Sequence, residues 1–329
     1  MRPEPAERSY SLHGVRLGVS GWPEGADLLH SRLACLPHGP GEDGDLSFEF
    51  LPPTADLAHL ARPAAGRPVY DPPGGEVLYD DAADRLYLDL GGRLRAVCEA
   101  GRGRALLAAP AAGRGDLWLL SHPLFTLPLV ELLKRRGLYH VHAAALCRGG
   151  RGLVLAGTSG AGKSTLTIAL ARAGFGFLGD DTLFLARRPA GLRLLAFPDE
   201  VDLTDETLRF FPELAPVLDA PRRDGWRKRP LRAEEVYGAP VVWECAPGHL
   251  VFPAVSGRAA SELTPIGADE ALLELAPNVL LTDPASSQAH LDALADLAAA
   301  SCCWRLATGR DLDAAVRRLA GLFPPEAGR

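Results

Sequence analysis

Eight consecutive residues constrain this chain more than any other feature: Gly157-Thr158-Ser159-Gly160-Ala161-Gly162-Lys163-Ser164. They match G-x-x-x-x-G-K-[ST] at every required position. An apolar strand-like run, Leu153-Val154-Leu155-Ala156, precedes them, and a helix-like run, Thr165-Leu166-Thr167-Ile168-Ala169-Leu170, follows. Glycines let successive backbone N–H groups turn inward at a helix N-terminus and form a nest for an anion. The lysine places a point charge on β and γ phosphates, and the serine hydroxyl can ligate Mg²⁺. The pattern predicts a site for ATP with Mg²⁺, formed by Gly157 through Ser164 together with Thr165.

Composition narrows the class around that site. A chain of 329 residues with 47% hydrophobic and 23% charged residues is that of a globular protein long enough for two domains. A net charge of −6 argues against a dedicated nucleic-acid binder. The most apolar run, 117–133, is broken by Ser121, His122, Pro123 and Pro128, so no membrane span is expected. Residues 1–10 carry Arg2, Glu4, Glu7 and Arg8 and do not read as a signal peptide. The six cysteines show no CxxC spacing, which predicts reduced thiols in a cytoplasmic protein.

Organisation follows from pattern. Leu86, Leu88 and Leu90 alternate with Arg85, Tyr87 and Asp89 before Gly91-Gly92, a hairpin leading into 94–99. Stretches at 37–44, 52–53 and 72–75 read as loops, and the Ala/Gly/Pro-rich segment 108–116 as a boundary. Residues 1–115 are therefore expected to form a β-rich accessory domain and 116–329 an α/β domain. Within the latter, strands are expected at 142–147, 153–156, 182–187, 192–197, 279–282 and 303–307. Helices are expected from 124 or 128 to 136, and at 165–173, 269–276, 286–300 and 311–322.

The aspartate pair Asp180-Asp181 follows the loop at short spacing. A helix from Ser164 to Ala173 climbs away by ~14 Å at ~1.5 Å per residue. A strand from Phe175 to Asp180 returns by ~17–20 Å at ~3.3 Å per residue, which brings the pair back beside the phosphates. Successive strand side chains point to opposite faces, so one carboxylate should face the nucleotide fully. Acidic residues ending a strand can also simply cap a loop. If the preceding turn centres near Gly150-Arg151, antiparallel pairing sets His142 opposite Thr158 or Ser159, at the mouth of the loop.

Arginine greatly outnumbers lysine, and Lys134, Lys163 and Lys228 are the only lysines. Lys228 lies in a basic loop where Arg222, Arg223, Arg227, Lys228 and Arg229 face Asp224 alone. A charge run is usually a solvated surface, but a lysine kept against the arginine bias points to direct phosphate contact. Asp283, ending the apolar run 279–282, is a rival Mg²⁺ residue, although Pro284 and Ser286-Ser287 after it fit a helix cap better. The three lysines leave no guanine-reading N-K-x-D or T-K-x-D segment, and no L-S-G-G-Q stretch occurs.

At His142-Ala143-Ala144, the hairpin after it, the phosphate loop and Gly179-Asp180-Asp181, the sequence resembles the HPr kinase/phosphorylase family. The resemblance implies an α/β fold, a P-loop kinase domain of HPr kinase/phosphoenolpyruvate carboxykinase-like type behind the β-rich accessory domain. It further implies that Asp180 is the base on an acceptor hydroxyl, that His142 assists, and that Asp181 lies near the metal with Ser164. The family's Glu-Ile-Arg-Gly-Ile-Gly signature is absent; Asp199-Glu200-Val201-Asp202 preserves at most a metal-side carboxylate at Glu200. The expected activity is transfer of the ATP γ-phosphate to a hydroxyl, that of serine, on a peptide or protein. A small-molecule kinase or carboxykinase-like enzyme and a nucleotide-dependent non-catalytic switch are the alternatives. Homo-oligomerisation is compatible with all three.

Overall fold

The computed structural model describes residues 8–38, 45–110 and 113–324. The reading of residues 1–7, the loop reading over 39–44 and Ala111-Ala112 of the expected boundary lie outside the described residues. The chain divides into two compact units. One comprises Met1–Leu138, Arg222–Arg227 and Leu280–Gln288, the other Tyr139–Pro221, Lys228–Val279 and Ala289–Arg329. No helix among the described residues is long and apolar enough to cross a membrane. No disulfide joins any of the six cysteines.

The first unit is built on an eight-stranded sheet. Its strands are β1 (Arg8–Leu12), β2 (Val15–Gly21), β3 (Leu46–Leu51), β4 (Arg67–Tyr70), β5 (Gly75–Asp80), β6 (Arg85–Leu90), β7 (Leu94–Glu99) and β8 (Arg104–Ala108), in the order β1-β2-β3-β8-β7-β6-β5-β4. Helix α1 (Pro23–Leu33) connects the parallel strands β2 and β3. The β6–β7 hairpin forms as expected, with Leu90 opposite Leu94.

The boundary differs from the expected one near residue 115. Helices α2 (Leu117–Ser121) and α3 (Pro123–Lys134) belong with the first unit. The reason is hydrophobic: α3 buries Leu124, Phe125, Leu129, Leu132 and Leu133, and Phe125 meets Phe48 of β3 edge to face at 4.9 Å. An aromatic pair of that geometry adds to the area it buries.

The segment Leu280–Gln288 also belongs here, held by a charged network. Glu131 and Lys134 are buried 2.8 Å apart. The Thr282 hydroxyl donates to Glu131 at 2.8 Å, and Lys134 Nζ donates to the Leu280 carbonyl at 3.3 Å. Arg135 bridges Asp84 at 2.7 Å and Asp283 at 2.9 Å. Asp283 in turn accepts from the backbone N–H groups of Ala285 and Ser286, capping the helix that follows. Asp283 is thus a cap, as its flanking residues suggested. The strand expected at 279–282 does not form. Its polar backbone is taken by side chains instead: Lys134 on the Leu280 carbonyl, and Ser287 Oγ accepting from Thr282 N–H.

The second unit contains a nine-stranded sheet. Its strands are β9 (Tyr139–Val141), β10 (Ala143–Arg148), β11 (Arg151–Ala156), β12 (Gly176–Gly179), β13 (Leu183–Arg188), β14 (Gly191–Ala196), β17 (Glu244–Val255), β18 (Glu262–Pro265) and β19 (Cys302–Thr308). The order is β12-β10-β11-β17-β14-β13-β9, and the far half of β17 pairs with β19, which carries β18. A two-stranded ribbon joins β15 (Val201–Leu203) to β16 (Arg229–Leu231).

Both faces of this sheet are buried, which is why β10 and β11 read as continuous apolar runs. On one face Leu146, Leu153 and Leu155 pack with α4 (Lys163–Arg172) and with Val316 and Leu319 of α10 (Leu312–Ala320). On the other, Ala145, Val154 and Ala156 pack with Leu294, Leu297 and Ala298 from the C-terminal part of α9 (Pro284–Ala300) and with Ala271 and Leu275 of α8 (Ala268–Leu275). Three helices remain: α5 (Asp205–Leu208), α6 (Ala215–Asp219) and α7 (Ala233–Tyr237).

Candidate phosphate and proton-transfer site

Topology converges three segments on one edge of the second sheet. β10 is antiparallel to β11 on one side and to β12 on the other. The C-terminal ends of β11 and β12 therefore lie at the same edge as the N-terminal start of β10. The first end opens into residues 157–162, the second into Asp180, and the start of β10 is preceded by His142.

The loop backbone needs its glycines at three places. Gly157, Gly160 and Gly162 have φ of 147°, 83° and 94°, a region that side chains with a Cβ rarely adopt. α4 begins immediately afterwards at Lys163, so the first-turn N–H groups point back into the loop. The Lys163 ammonium is buried and donates to the carbonyls of Gly157 at 2.8 Å and Thr158 at 3.3 Å. Burial lowers its pKa, opposed by the Asp181 and Asp180 carboxylates. Thr158, Ser159 and Gly160 at the loop tip are exposed, while Ala161 and Ser164 are partly buried. The Thr165 hydroxyl meets that of Thr207 on α5 at 3.2 Å.

Asp180 is 2% exposed. Neither of its carboxylate oxygens has a hydrogen-bond partner among the described residues. The Ser164 and Thr167 hydroxyls lie close enough to favour the ionised form without completing a bond, and Thr167 donates instead to the Lys163 carbonyl at 3.0 Å. Burial pushes the Asp180 carboxyl up to about 7; the Asp181 carboxylate adds to the rise, and Lys228 opposes it. A buried carboxyl left without partners is costly unless neutral or matched by something that binds there.

Asp181, the next residue, is half-exposed, and its charge is felt at Lys163 as well. His142 takes its contacts from this residue: Nδ1 lies 3.2 Å from the Asp181 carbonyl and Nε2 3.8 Å from its carboxylate. Burial holds the imidazole below its ordinary pKa despite that carboxylate. A proton on Nδ1 satisfies the carbonyl, leaving Nε2 as the acceptor. The register also differs from the expected one. Gly149 and Gly150 make the turn with φ of 56° and 75°, Arg148 faces Arg151 and Ala143 faces Ala156. His142 is thus level with Gly157, not with Thr158 or Ser159.

The basic loop separates into residues with different jobs. Arg229 pairs with Asp205 at 2.9 Å and donates to the carbonyls of Val217 and Ala220, a structural role. Arg223 stacks over Trp226 at 5.0 Å, and Trp226 packs against His122. Lys228 is the member whose charge is felt at Lys163, His142 and Asp180. Glu200 lies in the segment between β14 and β15; the carbonyl of Phe197, three residues earlier, lies 2.9 Å from where a Gly179 Cβ would be. That close approach runs the segment beside the turn carrying Asp180. Among the described residues no group of three His, Cys, Asp or Glu side chains could cage a metal ion. Mg²⁺ bound with a nucleotide needs only one or two carboxylates, its other ligands being phosphate and water.

Sequence reasoning missed one neighbour of the loop, strand β17. The Pro253 carbonyl lies 3.8 Å from a Cβ position on Gly157, and Val255 Cγ2 lies 3.7 Å from one on Gly162. The run Leu250-Val251-Phe252 was its available signal, obscured by Pro247, Gly248 and Pro253.

No family model matches this chain, and no curated protein does. Among 51 matching chains of solved structure is the HPr(Ser) kinase/phosphatase from Coxiella burnetii, with a TM-score of 0.29 and 12% identity over 56% of this chain and 96% of that one. The relation is a weak structural one, a mixed α/β likeness without a sequence family behind it.

Proposed function

We propose that this protein is an ATP-dependent kinase that phosphorylates a hydroxyl, that of serine, on a peptide or protein. The reading rests on one observation: a buried, unpartnered carboxyl, Asp180, at the same sheet edge as the glycine loop and beside Lys163 and Ser164.

The residues suit the groups that such a reaction needs. The N–H groups of residues 157–165 would hold the triphosphate, and Lys163 would exchange its two loop carbonyls for β and γ oxygens. The Ser164 hydroxyl, with Asp181 and Glu200 on the flanks, would hold Mg²⁺, which supplies charge neutralisation on the phosphates. Asp180 would take the proton from the acceptor hydroxyl. A carboxyl raised to about 7 is a far better base at neutral pH than an ordinary aspartate near ~3.9. His142, bonded through Nδ1 to the Asp181 carbonyl, would fix the turn on which both aspartates sit. Lys228 would add positive charge where negative charge develops in the transition state.

The test is incubation with labelled ATP and candidate peptides, with the phosphate located by mass spectrometry. Phosphoserine that disappears with Asp180→Asn supports the reading. Efficient transfer only to small metabolites or water overturns it. A second reading, a nucleotide-dependent switch, is favoured by the closeness of Ser164 to Asp180, since a carboxylate beside that hydroxyl can hold Mg²⁺ without chemistry. It predicts nucleotide binding with no phosphorylated acceptor in the same experiment.

A further inference from the structure

We infer that the nucleoside end of the nucleotide lies on a shelf formed by the loops after β17 and β19, with the exposed side chain of Val255 as its apolar floor. This rests on the phosphate-site reading above and gives that site a direction. At the loop edge the strands run β12, β10, β11, β17, β19. The phosphate loop leaves β11 in the middle. Asp180 and His142 leave β12 and β10 on one side of it. In-line transfer places the acceptor and the leaving β-phosphate on opposite sides of the γ-phosphorus. With the acceptor held at Asp180, the rest of the nucleotide must run the other way, over the ends of β17 and β19.

That side is built as a platform. β17 and β19 are parallel neighbours, with Val255 opposite Thr308 at their ends. Past the ends, the Ser256 N–H and hydroxyl both donate to the Thr308 carbonyl at 2.9 Å. Arg310 N–H donates to the Arg258 carbonyl at 2.9 Å, and Gly309 N–H to Ser261 Oγ at 2.9 Å. Gly309 packs so closely on Ala260 that a Cβ there would sit 2.5 Å from its carbonyl carbon. The two loops are therefore one tied surface. Gly257 at the tip has a φ of +66° and open space where a side chain would go. Val255 is 69% exposed. Its Cγ2 lies 3.7 Å from a Cβ position on Gly162, the last residue of the phosphate loop. An apolar surface touching a phosphate loop suits a planar base better than more phosphate.

The experiment is calorimetry of wild type and Val255→Ser with ATP–Mg²⁺ and, separately, tripolyphosphate–Mg²⁺. The variant, at an exposed position, should stay folded, bind ATP roughly fivefold or more weakly, and bind tripolyphosphate as the wild type does. Equal losses for both ligands, or no loss for ATP, would overturn the inference while leaving the phosphate site standing. Wild-type binding of tripolyphosphate as tight as that of ATP would also overturn it. A wild type that binds neither ligand would overturn the phosphate site, and the shelf with it.

Discussion

The Lys163 ammonium is folded back onto the carbonyl of Gly157, 2.8 Å away, inside its own loop. A compact cation that satisfies loop carbonyls can move to phosphate oxygens by rotating its stem, with no change in the loop backbone. Lys163→Ala should therefore fold normally yet bind ATP–Mg²⁺ at least tenfold more weakly, because a charge-assisted contact is lost. Isothermal calorimetry checks this; unchanged affinity in a folded variant would mean that residues 157–165 do not hold phosphates.

Asp180 should make stability fall with rising pH. Its folded pKa, about 7, lies above the unfolded value near ~3.9, so the folded state binds the extra proton. The stabilisation is full below the unfolded value and disappears as pH rises through 7. Asp180→Asn, neutral throughout, should match the wild type below about pH 4, where both are neutral in both states, and exceed it in melting temperature increasingly up to pH 8–9. The difference should be no more than about 4 kcal/mol, three units at ~1.36 kcal/mol each. Parallel melting curves at all pH values would contradict the assignment.

In the first unit, Lys134→Ala leaves the buried Glu131 with Arg135 and Thr282 but without its nearest cation. Breaking a buried pair on one side costs about 3–5 kcal/mol. Denaturant unfolding should show a loss in that range, whereas Lys134→Ala stability within 1 kcal/mol of wild type would mean that water reaches the network.

Lys228→Arg should slow phosphoryl transfer several-fold with little effect on ATP affinity. The planar fork of arginine places charge differently from a compact ammonium, and Lys228 is felt at Asp180, Lys163 and His142 together. Steady-state kinetics with any accepted substrate measure it. Normal turnover would reduce Lys228 to surface charge.

The parts of the site that were legible in sequence are those set by local rules. The run from Leu153 to Leu170 writes strand, turn and helix within one window. The helix climb and strand return that bring Asp180 back are simple arithmetic on rise per residue, and β12 ends one residue before Asp180. Non-local choices were not legible. The apolar faces of α2 and α3 do not say in sequence which sheet they will cover, and the unit boundary fell at Leu138 and not at 115. β17 carries Pro247, Gly248 and Pro253, which read as loop, yet its register slips between the partners Gly152 and Leu153 and absorbs the break. The position of His142 was missed by one or two residues because two left-handed glycines centre the two-residue turn on Gly149-Gly150 and not near Gly150-Arg151.

The central claim is that Asp180 moves a proton and does not merely hold the nucleotide, and one paired measurement separates the two. ATP–Mg²⁺ affinity and the single-turnover transfer rate are determined for wild type and Asp180→Asn across pH 5–9. The account predicts affinities within about threefold, a transfer rate lowered by ~10²–10⁴, and a rising limb near pH 7 that only the wild type shows. Transfer by Asp180→Asn at close to the wild-type rate, with the same pH profile, would contradict it.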